Sequence, residues 1–165
     1  MSVKNLQFAV SVHIATTLGY RRGEAVTSSE LAASVNAEPS FVRRSIAKLA
    51  RAGLLSTTRG KYGACSLARA PEEITLLDIY RAAGAPPAAT AHSYPVQPSC
   101  PVSSQIQPCM TGLLQEAQAG FEAGLERRTL ADLVEAVRTR EAASATPRAA
   151  RSERARSDAP VLCGA

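Results

Sequence analysis

The stretch from Thr27 to Leu67, TSSELAASVNAEPSFVRRSIAKLARAGLLSTTRGKYGACSL, constrains the fold of this chain more than any other. It divides into helix, tight turn, helix and two-stranded ribbon. Thr27 with Glu30 three residues on is a capping box, in which each side chain satisfies a backbone N–H at a helix start. Leu31, Ala32 and Val35 give that helix an apolar side, and Asn36 suits a left-handed stop. Pro39 fits the first turn of the next helix, where its missing N–H costs nothing.

Along this second helix Val42, Ile46, Leu49 and Ala50 recur at helical spacing and are expected in the core. Ser40, Arg43, Arg44, Ala47, Lys48 and Arg51 recur on the opposite side as a cationic stripe. Gly53 ends the helix, Leu54 to Thr58 reads as a strand, residues 59–63 as a turn, and Ala64 to Ala68 as the return strand. A basic helix alone is commonly a solvated face. Capping box, turn, basic helix and basic ribbon tip in this order instead predict a winged helix-turn-helix, a shape that lays one helix in a DNA major groove. Arg43 and Arg44 are the expected base readers, with Lys48 and Lys61 on phosphates.

Charge placement agrees with that expectation. The 165 residues carry a net +5. Residues 1–69 hold ten basic side chains and three acidic ones, a surplus of seven that leaves the remainder at −2. Positive charge concentrated beside the cationic helix predicts salt-dependent contact with phosphates. The chain has no Trp and few aromatics, which speaks against a base-stacking surface for single strands. It has no apolar run long enough for a bilayer and no signal-peptide pattern, so a cytoplasmic protein without membrane contact is expected.

Before the motif, Leu6, Ala9, Val10, His13, Ile14 and Leu18 predict an opening helix with His13 on its apolar side. After it, Thr75 with Asp78 starts a helix that runs through Ile79, Tyr80 and Ala83 to Gly84. Proline and serine then dominate APPAATAHSYPVQPSCPVSSQIQPC, too long a loop to be a plain connection. From Ile106 a helical period returns through Met110, Leu113, Leu114, Ala117, Phe121 and Leu125. This stripe lies outside a winged core that already reads as complete, so the same helix of a second chain is its expected partner. A short helix is expected from Thr129 to about Arg138, followed by a disordered tail.

The chain thus divides into a winged domain (1–84), a proline-rich cysteine-containing loop (85–105), a dimerisation helix with a short following helix (106–138) and a tail (139–165). The fold class is mainly α with a small β-wing. A homodimer would offer two reading heads to a palindromic duplex site.

These residues resemble the Rrf2 family of bacterial transcriptional regulators over about residues 5–137. The likeness rests on SSELAASVNAEPSFVRRSIAKLARAGLL, the wing, PEEITLLDIYRAAG, the Cys100-Pro101-Val102 step and TLADL. It implies a dimeric winged-helix repressor with groove contacts at Ser40, Arg43 and Arg44 and a minor-groove contact at Arg59. Family members that bind an iron–sulphur cluster have three closely spaced cysteines in the loop, where this chain has Cys100 and Cys109. The amino-terminal ligand of such clusters falls near Gln7 and Ser11, which are poor donors. No cofactor is therefore expected. A cluster completed by His13 or His92 is the alternative within the same family.

Without a cluster, thiol chemistry remains. Cys100 and Cys109 are the expected redox or electrophile sensors. Pro108 places Cys109 near a helix start, a position that favours a reactive thiol. Cys65 reads as packing and Cys163 as incidental. Two rivals come from other classes. A thiol oxidoreductase would need a C-x-x-C motif that the chain lacks, and a winged-helix protein–protein adapter would leave the cationic stripe without a role. The residues predict a regulator and no enzyme.

Overall fold

The computed structural model describes residues 3–58, 63–90 and 95–157, with side chains described for 6–58, 63–90 and 95–144. Its elements are α1 (Val3–Tyr20), β1 (Val26–Thr27), α2 (Ser28–Val35), α3 (Pro39–Arg51), β2 (Leu55–Thr57), β3 (Ala64–Leu67), a single 3-10 turn (Pro71–Glu73), α4 (Leu76–Ala83), α5 (Pro101–Glu126) and α6 (Leu130–Ser157). The molecule is mostly helical with one small sheet, as the sequence pattern requires.

Local signals set the boundaries of the central motif. Thr27 Oγ1 accepts from the Glu30 N–H at 3.2 Å while Glu30 accepts from the Thr27 N–H at 2.8 Å, closing the capping box. Those hydrogen bonds, from the Thr27 N–H first and then its hydroxyl, hold the Glu30 carboxyl below its ordinary range. Asn36 ends α2 in the left-handed conformation, with φ of 52°. The same device opens α4, where Thr75 and Asp78 cap each other and Gly84 closes the helix at φ 63°.

The sheet has the order β1-β3-β2, antiparallel throughout. The sequence pattern predicts only the β2–β3 ribbon, because a two-residue strand such as Val26–Thr27 has no periodicity to read. Val26 is fully buried and pairs with Cys65, which also pairs with Thr57 on the other side. Cys65 is therefore interior sheet packing, and burial raises its thiol pKa.

The core joins Val10, Ile14, Ala15 and Leu18 of α1 to Leu31, Val42, Ile46, Leu49, Leu54, Leu55, Ile74 and Ile79. Three expectations for α1 are corrected by its register on this core. Leu6 and Ala9 are exposed, and so is His13, whose ring nitrogen Nε2 lies 3.1 Å from Ser34 Oγ on α2. The face that packs inward is the Val10, Ser11, Ile14, Leu18 side, one step round the helix.

A larger correction concerns the C-terminal half. Leu130 is fully buried and Val134 nearly so, both within the winged-domain core. The backbone is stitched there too: Leu130 N donates to Ile74 O at 2.8 Å and Leu76 N to Arg128 O at 2.9 Å. Gly19 permits the approach of α1 to α6, since a Cβ at that position would lie 2.9 Å from Val134 Cγ2. The winged core is thus not complete without the start of α6. Of the expected tail, residues 139–157 are helical, for α6 continues to Ser157. Beyond Val137 its Ala-, Arg- and Glu-rich composition favours helix without an apolar stripe. Tyr20 anchors its early part, bonding the Glu141 carboxylate through its hydroxyl and accepting from Arg138 through its carbonyl.

Candidate nucleic-acid interface

α3 is the second helix of the helix-turn-helix, and its start is built by Glu38. The Glu38 carboxylate accepts from the Ser40 N–H at 2.9 Å, the Phe41 N–H at 3.1 Å and the Ser40 hydroxyl. These bonds, that of the hydroxyl foremost, hold the Glu38 carboxyl below its ordinary range, with the Arg43 charge adding a little. The sequence reading missed Glu38. A carboxylate one residue before a helix-opening proline was the available signal.

The helix then separates its faces cleanly. Val42, Ser45, Ile46 and Leu49 are buried, with Ser45 Oγ returning its hydrogen to Phe41 O at 3.1 Å. Arg43, Arg44, Ala47 and Arg51 are exposed. The Arg44 guanidinium sits over the Phe41 ring, 5.9 Å from its centroid, which orders the side chain without neutralising it. Among the described residues Arg43, Arg44 and Arg51 make no ion pair within 4 Å.

Other predicted positions fare differently. Ser40 is half-buried at the helix start, its hydroxyl committed to Glu38. Lys48 belongs to the cationic stripe by spacing, yet its ammonium donates to the Ala83 carbonyl at the end of α4, at 2.8 Å. Arg21 and Arg22, just past the end of α1, face carboxylates. Arg21 lies 2.7 Å from Glu24 and 3.4 Å from Glu30, and Arg22 is 4.0 Å from Glu72. The wing flanks of Arg59 and Lys61 are built, with Thr58 N donating to Ala64 O at 3.0 Å. Arg59 and Lys61 themselves lie outside the described residues.

The two loop cysteines stand apart from this face. α5 begins at Pro101, so Cys100 is its N-cap, half-buried, and Cys109 is an exposed residue well inside the helix. The expected placement of Cys109 in the first turn is corrected, because Pro101 and not Pro108 occupies the N1 position. Nine helical residues at ~1.5 Å rise separate the two Cα atoms by about 13 Å. A disulfide needs them within about 7 Å, so a bridge inside one chain requires α5 to unwind at its start.

α5 is joined to the winged domain through α4. Tyr80 is buried between Phe8 of α1 and Phe121 of α5, with edge-on ring centroids at 5.3 and 5.5 Å. Its hydroxyl donates to Pro86 O at 2.6 Å, and Arg81 pairs with Glu122 at 3.2 Å. No residue of α5 is fully buried, and Val102, Met110 and Leu113 stand out in solvent.

A helix-turn-helix with a wing and a cationic second helix is the architecture of a DNA-binding transcriptional regulator. Residues 5–136 match the model of Rrf2, described as an iron-dependent transcriptional regulator, and the chain belongs to that family. It is 34% identical over 131 residues to the HTH-type transcriptional regulator YwnA of Bacillus subtilis (strain 168), covering 79% of this chain and 96% of YwnA. Among solved structures it is similar to a transcriptional regulator from Lactobacillus plantarum, with 28% identity, a TM-score of 0.67 and coverage of 81% and 91% of the two chains. It shares the fold of CymR, the global cysteine regulator of B. subtilis, at 23% identity and a TM-score of 0.57, over 82% and 95% of the two chains. These relatives are regulators, not enzymes. No helix among the described residues is long and apolar enough to cross a membrane.

The family description implies iron, and the donor set tests that implication. Among the described residues no three His, Cys, Asp or Glu side chains converge on a point. Cys100 and Cys109 are spread along α5, and His13 points to Ser34. His92 lies outside the described residues. The residues described do not fit an iron or iron–sulphur centre within one chain.

Proposed function

We propose that this chain is a homodimeric repressor that binds a palindromic operator and releases it when Cys100 or Cys109 is modified by an oxidant or electrophile. Arg43 and Arg44 read base edges in the major groove, Ser40 supports the helix start, Arg59 enters the minor groove and Lys61 holds phosphate. The observation that carries the reading is the exposed, unpaired arginine face of α3 above a fully packed core side. The unburied α5, with Val102, Met110 and Leu113 in solvent, supports a second copy as partner.

The test is operator selection from random duplex, followed by titration of variants. Arg43→Ala and Arg44→Ala are each expected to lose about 1–3 kcal/mol on the selected site and clearly less on random duplex. Equal losses on both would remove the two arginines from base reading. The sensing half is checked with peroxide, a quinone and a polysulfide on wild type, Cys100→Ser and Cys109→Ser. Reversal by a thiol reductant is expected for a sulfenic acid or disulfide. If both variants release DNA as readily as wild type, neither cysteine is the sensor.

A further inference from the structure

Spacing alone assigns Lys48 to the cationic face of α3, but its contacts assign it another task. α4 ends at Ala83, and the Gly84 cap returns its N–H to Arg81 O at 3.0 Å. The last carbonyls of a helix lack intrahelical donors and carry its negative dipole end, a natural seat for an ammonium. Lys48 Nζ fills that seat at Ala83 O, 2.8 Å away and partly shielded from solvent. To reach a phosphate it would have to abandon a charge-assisted bond and leave the carbonyl behind.

We propose that Lys48 is a positioning residue: its bond to Ala83 O fixes the pitch of α3 against α4, and through α4 against α5. The chain of contacts is continuous. Lys48 holds the end of α4, while Tyr80 and Arg81 of α4 hold Phe121 and Glu122 of α5. Gln118 of α5 adds a bond to the Tyr80 hydroxyl at 3.3 Å and accepts from Ala88 N, in the loop leading to Cys100, at 2.8 Å. The arginines of α3 are thereby set at an angle determined by the helix that bears the cysteines. This inference rests on the reading of α3 as the DNA-contacting helix.

Two measurements test it. Lys48→Met keeps the aliphatic stem and removes the donor. A positioning role predicts about a tenfold loss on the selected operator, little change on random duplex, and an unaltered slope of affinity against salt. A phosphate contact predicts equal weakening on both duplexes and a slope shallower by about 1, which would overturn the proposal. The second measurement uses wild type, so it stands even if the variant does not fold. The chain has three lysines, Lys4, Lys48 and Lys61, which makes amine acylation simple to map by mass spectrometry. Lys48 is expected to react far more slowly than a free lysine amide in the absence of DNA, with no further protection when operator is added. Reaction of Lys48 at the free-lysine rate, or strong protection by DNA, would overturn the tether. Wild type that selects no duplex would be a failure of the DNA reading itself, and the acylation rate without DNA would still decide the contact with α4.

Discussion

Leu113→Glu is expected to yield a folded monomer that has lost its grip on the operator. Leu113 stands 58% exposed on α5 in the single chain, so its replacement disturbs the protomer's own packing little. In a seam between paired α5 helices the new carboxylate would be buried without a partner, at a cost of several kcal/mol unless it is neutralised. Loss of the second reading head removes the effective concentration that links two half-sites, a factor of about 10²–10⁴ in affinity. Phe121→Glu is a poorer probe, because Phe121 also packs on Tyr80 and its loss would disturb α4. Sedimentation velocity gives the mass, circular dichroism the fold, and titration of full operator against half-operator the affinity. Wild type that sediments as a monomer at micromolar concentration would remove α5 as a dimer helix. So would a Leu113→Glu variant that remains dimeric.

The sequence is legible wherever a structural decision is made within a few residues. Thr27 with Glu30, and Thr75 with Asp78, name their helix starts because both partners of each capping box lie three residues apart. Asn36 and Gly84 name two helix ends because each adopts a conformation that most side chains resist. The inward and outward faces of α3 follow from the 3.6-residue period, and the apolar face appears where the period places it.

Decisions made between distant residues were not legible. Lys48 shares the spacing of Arg44 and Arg51, but its direction depends on where α4 ends, 35 residues later. The start of α5 turned on which of two prolines takes the N1 position. Both Pro101 and Pro108 satisfy the local rule, and the residues between them are helical. That one choice moved Cys109 from a helix start to its interior. His13 lies one step of helix rotation from its expected place, because the five apolar residues around it on α1 do not fix which side of the helix meets the core.

A helix starting near Thr129 is expected from the sequence, but its place in the winged core is not, and the weight of that packing makes the strongest stability prediction. Leu130→Ala is expected to destabilise the chain by about 2–5 kcal/mol, the range for a truncated leucine at a fully buried site. Leu130 has no exposed surface, and its backbone N–H is bonded to Ile74 O, so the site has little freedom to collapse around the lost atoms. An isolated antiparallel bridge between Thr75 and Thr129 holds the two capping boxes side by side, with Asp132 accepting from the Thr129 N–H at 2.8 Å. The starts of α4 and α6 therefore form one structural unit across more than fifty residues of sequence. Its size decides between two organisations of the chain. If α6 were an appendage to a self-sufficient winged domain, Leu130→Ala would cost under 1 kcal/mol and leave the urea midpoint nearly unchanged. If α6 completes the core, the midpoint falls with an unaltered slope, as expected for a loss of stability without loss of cooperativity. Leu133→Ala, on the half-buried side of the same turn, is the control and is expected to cost clearly less.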